Sequence, residues 1–214
     1  MSHTNHAYLP AAGLDILLPL YDPLVRLLGA DRARRKLFDQ ASVEPHHRVL
    51  DIGCGTGTFA VAMKAWIPGV EVVGLDPDPK ALARSRRKAE RAAVAIQFDQ
   101  GFANALPYPD ASFDRVFSSL MFHHVPQDAK LATLREVRRV LKPGGGLHLL
   151  DFEPEGSQSH NPLARWLHTG ERMRGNEREQ ILHWIREAGF IEGRVVDSDQ
   201  PVFGKIAYFI ARLR

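Results

Sequence analysis

The sequence has 214 residues, of which 44% are hydrophobic and 25% are charged, values typical of one globular α/β domain. Lysine and arginine number 28 and the acidic residues 25, so the net charge of +3 is too small to predict a nucleic-acid partner. The single cysteine, Cys54, excludes an internal disulfide and a multi-cysteine metal centre, and it favours a reducing compartment.

The first 42 residues are predicted to form a flexible tail, over residues 1–12, and a helical lid, over residues 13–42. The apolar stretch from Leu14 to Leu28 is interrupted by prolines and charged residues. We therefore expect neither a signal peptide nor a membrane span, and by default a cytoplasmic protein. A basic helix is predicted from Asp31 to Gln40.

The rest of the chain is organised around residues 48–59, where a short apolar strand containing Asp51 turns at alternating glycines into a helix. The glycines are Gly53, Gly55 and Gly57. Because they lack a Cβ atom, they can adopt positive φ and let a ligand approach the backbone. A helix that begins near Thr56 would point free N–H groups at that ligand. The pattern favours a ligand site, with a plain glycine turn as the alternative.

A second strand, over residues 70–76, follows a helix over residues 58–67 and ends on Asp76. Asp76 lies roughly 20 residues beyond the glycines, the spacing at which a carboxylate accepts hydrogen bonds from ribose hydroxyls. The pattern therefore favours an adenosine-type ligand. Thr58 stands where the dinucleotide fingerprint has its third glycine, which disfavours a nicotinamide cofactor.

The remaining chain continues the alternation of helices and strands. Asp78 and Pro79 predict the N-cap and first turn of a helix that runs to about Ala92. The later predicted elements are strands over 94–98 and 113–118, a helix ending at Leu141, a turn over 142–146, a strand over 147–152, a helix capped by Asn176 and Glu179, and strands at 195–196 and 203–210. We predict an α/β fold with a Rossmann-like, doubly wound sheet of seven strands, mostly parallel, with an antiparallel C-terminal hairpin.

Four ordered motifs resemble those of the class I S-adenosylmethionine-dependent methyltransferases. They are Val49 to Gly57, Gly74 to Asp76, Leu106 to Asp114 and Leu141 to Gly145. The resemblance extends over residues 20–153 and is to the branch that contains the ubiquinone and menaquinone biosynthesis enzymes. It implies an S-adenosylmethionine cofactor and methyl transfer to a nitrogen, oxygen, sulfur or carbon atom of a small-molecule acceptor, by a monomer or homodimer.

By this resemblance, Asp51 and Gly53 would lie near the methionine end of the cofactor, and Asp76 would bind its ribose. Gly55 and Gly57 would permit close backbone approach. The cofactor-binding residues are expected to be Asp51, Gly53, Cys54, Gly55, Gly57, Asp76, Pro77, Phe102, Ala103, Ser118 and Ser119. We expect no metal ligands.

Phe102 departs from the family pattern, which commonly has an acidic residue here that hydrogen-bonds the adenine amino group. A phenyl ring cannot accept that hydrogen bond, but it can stack on adenine with a gain of about 1 kcal/mol. Adenine recognition would then depend on the backbone of Ala103 or on Asp99.

The catalytic residues are expected at the carboxyl end of the fourth strand, where open α/β sheets bind ligands. The resemblance suggests His124 together with Tyr21 of the lid, as in some small-amine methyltransferases. Lining of the pocket is the alternative role for both His123 and His124. Asp151 and Glu153 end the fifth strand and would either orient an amine acceptor or accept a proton, or instead anchor a loop or cap a helix, the second pair of roles being favoured.

The whole chain, residues 1–214, is expected to form one domain. Its cofactor-binding core would cover residues 43–153, a substrate-facing insertion residues 154–175, and a C-terminal helix and hairpin residues 176–214. The insertion is shorter than in the quinone enzymes, which disfavours a long-chain quinone acceptor. Two other classes stay open: a non-catalytic protein that binds an adenosyl ligand, and a nicotinamide-dependent oxidoreductase.

Overall fold

The computed structural model describes residues 29–154, 176–201 and 204–214. The described helices are α1 (Ala30–Asp39), α2 (Thr58–Trp66), α3 (Pro79–Arg91), α4 (Gln127–Val140) and α5 (Arg178–Glu187). The strands are β1 (Arg48–Ile52), β2 (Glu71–Asp76), β3 (Gln97–Gln100), β4 (Phe113–Ser119), β5 (Leu141–Phe152), β6 (Glu192–Asp199) and β7 (Ile206–Arg212). The predicted tail, most of the predicted lid, and residues 155–175 of the predicted insertion lie outside the described residues.

The seven strands form one sheet in the order β3-β2-β1-β4-β5-β7-β6. Strands β1 to β5 pair in parallel, and β7 runs antiparallel to both β5 and β6. The predicted mixed sheet with a C-terminal hairpin is confirmed. The direction of winding reverses between β1 and β4, so the crevice at their carboxyl ends is the expected ligand site of an open α/β sheet.

Apolar side chains cover both faces of the sheet, as a central parallel sheet requires. On one face Leu50 and Ile52 of β1 pack in a cluster with residues of α4 and α5. On the other face Val49 packs with residues of α1, α2 and α3. Because β1 is buried on both faces, its carboxyl end is a rigid base for the loop that follows it.

No helix within the described ranges is long and apolar enough to cross a bilayer.

The boundary of β5 differs from the prediction. A turn was predicted over residues 142–146, but the strand begins at Leu141. Its pairing with β4 passes from Phe113 opposite Leu141 to Arg115 opposite Gly146, so the intervening residues bulge out of the ladder. Glycine-rich sequence marks such a bulge and a turn equally well.

The predicted cap of α5 was wrong, whereas that of α3 is confirmed. Asp78 accepts a hydrogen bond from the Lys80 N–H at 2.8 Å, as an N-cap should. Asn176 does not cap α5; its side chain is fully buried and hydrogen-bonds Lys130 and the backbone carbonyl of Phe152. Satisfying these buried polar groups prevails over the local capping pattern.

A buried histidine of β5, His148, is expected to make the stability of the fold depend on pH. Its side chain is 3% exposed and its ring lies against that of Phe117. Burial, with smaller contributions from Arg115 and Arg212, lowers the pKa of His148 from 6.5 to about 3. Between these two values the unfolded chain binds a proton that the folded chain does not, so stability falls as the pH falls through this window.

We expect the free energy of unfolding to decrease by about 1 kcal/mol between pH 7 and pH 5.5 through His148 alone. Urea denaturation at the two pH values would measure this decrease. His148→Leu should remove that part of the pH dependence. His46→Leu is the matched control, because the His46 ring is exposed in the folded protein. The same pH dependence in His148→Leu as in the wild type would contradict the assignment.

Candidate active site

The glycine-rich loop after β1 has the predicted conformation. Gly53, Gly55 and Gly57 have φ values of 68°, 54° and 74°, in the left-handed region. The loop is fixed to β2 because the N–H groups of Gly53 and Cys54 both donate to the carbonyl of Leu75, at 2.8 and 3.0 Å. Among the described residues, no atom lies within 4 Å of the position that a Cβ on Gly55 would take. The loop therefore offers open space at Gly55.

Asp76, at the end of β2, lies beside this open space. Its Oδ2 accepts a hydrogen bond from the Gly55 N–H at 2.8 Å, and its Oδ1 accepts one from the Asp78 N–H at 2.9 Å. Burial raises the pKa of the Asp76 carboxyl, while these two hydrogen bonds oppose the increase. The structure thus places an acceptor group where the sequence predicted the ribose contact.

Asp51 lies under the loop, 2% exposed, and its Oδ2 has no hydrogen-bond partner among the described residues. Burial raises the pKa of the Asp51 carboxyl to about 7; the charge of Arg34 opposes this increase and that of Asp76 adds to it. Ser118 is paired in register with Ile52 of β1, and its buried Oγ likewise lacks a partner in the described part. Two such atoms at the crevice indicate a polar ligand.

Arg34 of α1 reaches the same edge of the sheet. Its Nε donates to the Oγ of Ser119 at 3.2 Å, and its Nη1 lies 3.8 Å from a carboxylate oxygen of Asp31. The sequence analysis predicted a basic helix here but no role for Arg34 in the site. Its proximity to Asp51 adds a cation to a site otherwise composed of carboxylates and hydroxyls.

The region predicted to contact adenine follows β3. Phe102 is 49% exposed there, an unusual degree for a large apolar side chain. Asp99, one of the two predicted alternatives for the adenine contact, is engaged: its Oδ2 accepts hydrogen bonds from the Tyr108 hydroxyl at 3.0 Å and the Gln97 amide at 2.7 Å. The backbone of half-buried Ala103 is the other alternative.

Two further residues that were predicted to bind the cofactor, Cys54 and Pro77, lie among the described residues. Cys54 is 8% exposed, and burial raises the pKa of its thiol. It is therefore a small filler of the loop and not a nucleophile. The carbonyl of Pro77 accepts a hydrogen bond from the Gln100 side chain at 3.1 Å, which joins the ends of β2 and β3.

Strand β4 ends in a strained turn. Leu120 has a φ of 56°, in the left-handed region that a leucine rarely adopts. Its N–H donates to the carbonyl of Leu150 at 2.8 Å, which holds the turn against β5. Strain of about 1–2 kcal/mol at such a residue is typical of functional sites. The turn leads into a short 3-10 helix, Phe122–His124.

His123 and Asp151 form a buried pair at this turn, which we call the dyad. The His123 Nδ1 lies 2.6 Å from the Asp151 Oδ1, and the His123 backbone N–H donates to Oδ2 at 2.8 Å. Burial would raise the pKa of the Asp151 carboxyl, but the charge of His123 and the hydrogen bonds outweigh it and lower the pKa. An ionised Asp151 accepts the Nδ1 hydrogen, so Nε2 is the basic nitrogen of His123.

The other residues for which the sequence analysis considered a chemical role are not members of the dyad. His124 is half-buried, and its ring centroid lies 4.0 Å from that of His123. Tyr21 lies outside the described residues, so the pairing of His124 with Tyr21 stays a prediction. Glu153 is bound by Arg178 at 2.7 and 3.0 Å and by Lys205 at 3.1 Å, which is the arrangement of a loop anchor.

One group away from this site has residue types of a metal centre: Glu44, His46 and His47, in the turn before β1, with possible ligand atoms within 4.8 Å of one another. The Nδ1 of His47 already accepts a hydrogen bond from the Glu44 N–H at 3.1 Å, which places the ring hydrogen on Nε2. A ligating histidine has the opposite arrangement, since its second nitrogen donates. The geometry favours a hydrogen-bonded turn.

Comparison with known proteins agrees with this architecture. Residues 49–145 match the model of a methyltransferase domain. The chain is 43% identical over 144 residues to a demethylmenaquinone methyltransferase of Deinococcus radiodurans, covering 66% of this chain and 59% of that protein. It is 42% identical over 159 residues to a 27-O-demethylrifamycin SV methyltransferase of Amycolatopsis mediterranei, covering 72% and 57%. The chain spans less than two thirds of the length of these relatives.

A solved S-adenosylmethionine-dependent methyltransferase from Aquifex aeolicus has the same fold, with a TM-score of 0.70 at 19% identity, covering 89% of this chain and 93% of that one. The sheet order and the glycine loop are those of the class I S-adenosylmethionine-dependent methyltransferase fold. Residues 49–145 thus form a methyltransferase domain, and this part of the chain is similar to the demethylmenaquinone methyltransferases.

Proposed function

We propose that this chain transfers a methyl group from S-adenosylmethionine to a small molecule that carries a proton at, or conjugated to, the attacked atom. Two observations carry the cofactor proposal: the buried Oδ2 of Asp51, on the strand that leads into the glycine loop, has no hydrogen-bond partner in the described part of the chain, and the loop has open space at Gly55. The observation that carries the acceptor proposal is the dyad, which provides a basic nitrogen for that proton.

The residues of the crevice fit the polar groups of the cofactor. The carboxylate of Asp51 would accept hydrogen bonds from the ammonium of the methionine part, and the guanidinium of Arg34 would bind its carboxylate. Asp76 would accept hydrogen bonds from the ribose hydroxyls. Exposed Phe102 would stack on the adenine. Opposite charges on ligand and protein are thus matched along the crevice.

The bound cofactor would supply an electrophilic methyl group on a sulfonium that is already a good leaving group. The chain then needs to orient the acceptor, exclude water and receive a proton. His123 would accept that proton at Nε2. Asp151 would hold the ring in the required tautomer and stabilise the imidazolium, as the aspartate of a catalytic triad does.

The proposal includes neither a nucleic-acid partner nor a membrane span. A monomer or homodimer suffices, because every group invoked comes from one chain. The two relatives are named for demethylmenaquinone and 27-O-demethylrifamycin SV, both small molecules. A cytoplasmic location is part of the proposal, supported by a single buried cysteine.

Calorimetric titration with S-adenosylmethionine, S-adenosylhomocysteine and NAD tests the cofactor assignment. We expect the two adenosyl ligands to bind and NAD not to bind. Asp76→Ala should weaken binding by about 2 kcal/mol, roughly 30-fold, because charge-assisted hydrogen bonds are lost.

Asp78→Ala is the matched control for this titration, since it removes a helix cap and leaves the Asp76 carboxylate in place. Unchanged affinity in Asp76→Ala would contradict the ribose assignment. Binding of NAD alone would favour the oxidoreductase alternative. Adenosyl binding without methyl transfer to any small-molecule acceptor would favour the non-catalytic one.

A further inference from the structure

Lys130 of α4 is a buried cation that the proposed reaction does not use. Its side chain is 1% exposed, which is rare for lysine. Its Nζ lies 5.0 Å from the ring centroid of Phe122 and 5.5 Å from that of Trp184, and it donates to the Oδ1 of Asn176 at 3.1 Å. Burying an ammonium group costs desolvation free energy unless nearby groups compensate its charge. The burial of Lys130 therefore needs an explanation.

Lys130 is connected to both segments that carry the dyad. Phe122, whose ring lies under the ammonium, directly precedes the histidine of the dyad on the 3-10 helix. Asn176 donates to the carbonyl of Phe152, and the N–H of Phe152 donates to the dyad's carboxylate at 2.7 Å. Lys130 therefore contacts both segments: the end of β5 through Asn176, and the 3-10 helix through Phe122.

Two carboxylates on different elements attract the Lys130 ammonium. Asp151 lies on β5 and Glu177 just before α5. Burial lowers the pKa of Lys130 to about 8, and attraction to Asp151 and Glu177 opposes that decrease. Lys130 is thus a cation below about pH 8. Since the attraction is mutual, its charge favours the ionised form of Asp151.

We propose that Lys130 is a positioning residue of the dyad: its hydrogen bond to Asn176 and its contact with the Phe122 ring hold Asp151 and His123 at hydrogen-bond distance, and its ammonium places a positive charge near the pair. His123 then keeps its hydrogen on Nδ1 and presents a basic Nε2. This inference rests on the proposed function, because a well-positioned base matters only to a reaction that releases a proton. The expected effect of Lys130 on the dyad does not itself depend on that reaction.

The test is a pH titration of the protein by NMR with isotope-labelled histidine, without cofactor or acceptor. The short Nδ1–Oδ1 hydrogen bond is expected to give a downfield imidazole proton resonance, which His123→Asn would identify by its loss. In Lys130→Met the midpoint of this titration should rise by about one pH unit, because a nearby cation no longer opposes protonation. Lys130→Arg should restore the wild-type midpoint.

Lys142→Met is the matched control. Lys142 pairs with Asp114 at 2.8 Å, near the opposite ends of β4 and β5, so its loss should not move the midpoint. An unchanged midpoint in Lys130→Met would overturn the inference. If that variant does not fold, Lys130→Gln replaces it with the same expected rise, because glutamine can still donate to Asn176. Failure of both variants to fold would show a purely structural role and also overturn the inference.

The readout needs no turnover, so the two proposals fail separately. A raised midpoint in a protein that transfers no methyl group would support the role of Lys130 and contradict the proposed function. Methyl transfer together with an unchanged midpoint in Lys130→Met would support the proposed function and contradict the role of Lys130.

Discussion

His123→Asn is expected to lower the rate of methyl transfer by about 100- to 10,000-fold, the range typical for loss of a general base. The physical reason is that the dyad offers a basic nitrogen held in one tautomer, and asparagine has no such nitrogen. The affinity for S-adenosylmethionine should change little, because Asp51 and Asp76 are left intact. The measurement is the turnover rate at saturating acceptor, with calorimetry of cofactor binding alongside.

Asp151→Asn should produce a loss in the same range, because the amide does not stabilise the imidazolium. His124→Asn is the matched control, since His124 is the sequence neighbour and its ring lies against that of His123. A larger loss in His124→Asn than in His123→Asn would favour the predicted pairing of His124 with Tyr21. Thermal unfolding of each variant separates loss of catalysis from loss of fold.

Gly53→Ala is expected to decrease the free energy of unfolding by about 2–5 kcal/mol, combining left-handed strain with overpacking. A Cβ on Gly53 would lie 2.0 Å from the Cγ and 2.8 Å from the Cβ of Met121. A change of rotamer moves the Cγ, but the Cβ is fixed by the backbone of the segment after β4. The substitution therefore pushes the glycine loop and that segment apart. Urea denaturation measures the change.

Gly55→Ala is the matched control for backbone strain. Its φ of 54° is similar, but the space around it is open among the described residues. We expect a decrease in stability of only about 1–2 kcal/mol, together with weaker cofactor binding because the new methyl group occupies the open space. Equal losses of stability in Gly53→Ala and Gly55→Ala would show that Met121 yields easily, and would contradict the steric argument.

The sheet could be predicted from the sequence because its determinants are local. The glycine spacing, the acids that end β1 and β2, and the cap at Asp78 each lie within one short stretch of chain, and the positive φ values at Gly53, Gly55 and Gly57 confirm the predicted loop. Apolar runs of strand length predicted most of the strands, but the strand predicted over residues 94–98 lies at Gln97–Gln100, where the sequence is largely polar. For these features, sequence pattern and three-dimensional structure depend on the same few residues.

The dyad could not be predicted, because its members are 28 residues apart and the two adjacent histidines look alike in the sequence. The buried histidine, His123, follows a turn with left-handed backbone at Leu120, and a leucine gives no signal of that conformation. Asn176 shows the same limitation. Its capping pattern is local, whereas the partner that decides its role, Lys130, lies 46 residues away.

The contacts that join the end of β5 to the start of α5 affect how freely the length of the chain between them can vary. Glu153 and Arg178 are joined by two hydrogen bonds, and Asn176 is bound to Phe152, so the chain is fastened on both sides of residues 155–175. Once the ends of a loop are held together, each doubling of its length adds only about 0.6 kcal/mol of closure entropy. A change in the length of the chain between these fastenings should therefore cost little closure entropy, and the crevice at the carboxyl ends of β1 and β4 can be preserved while that length varies.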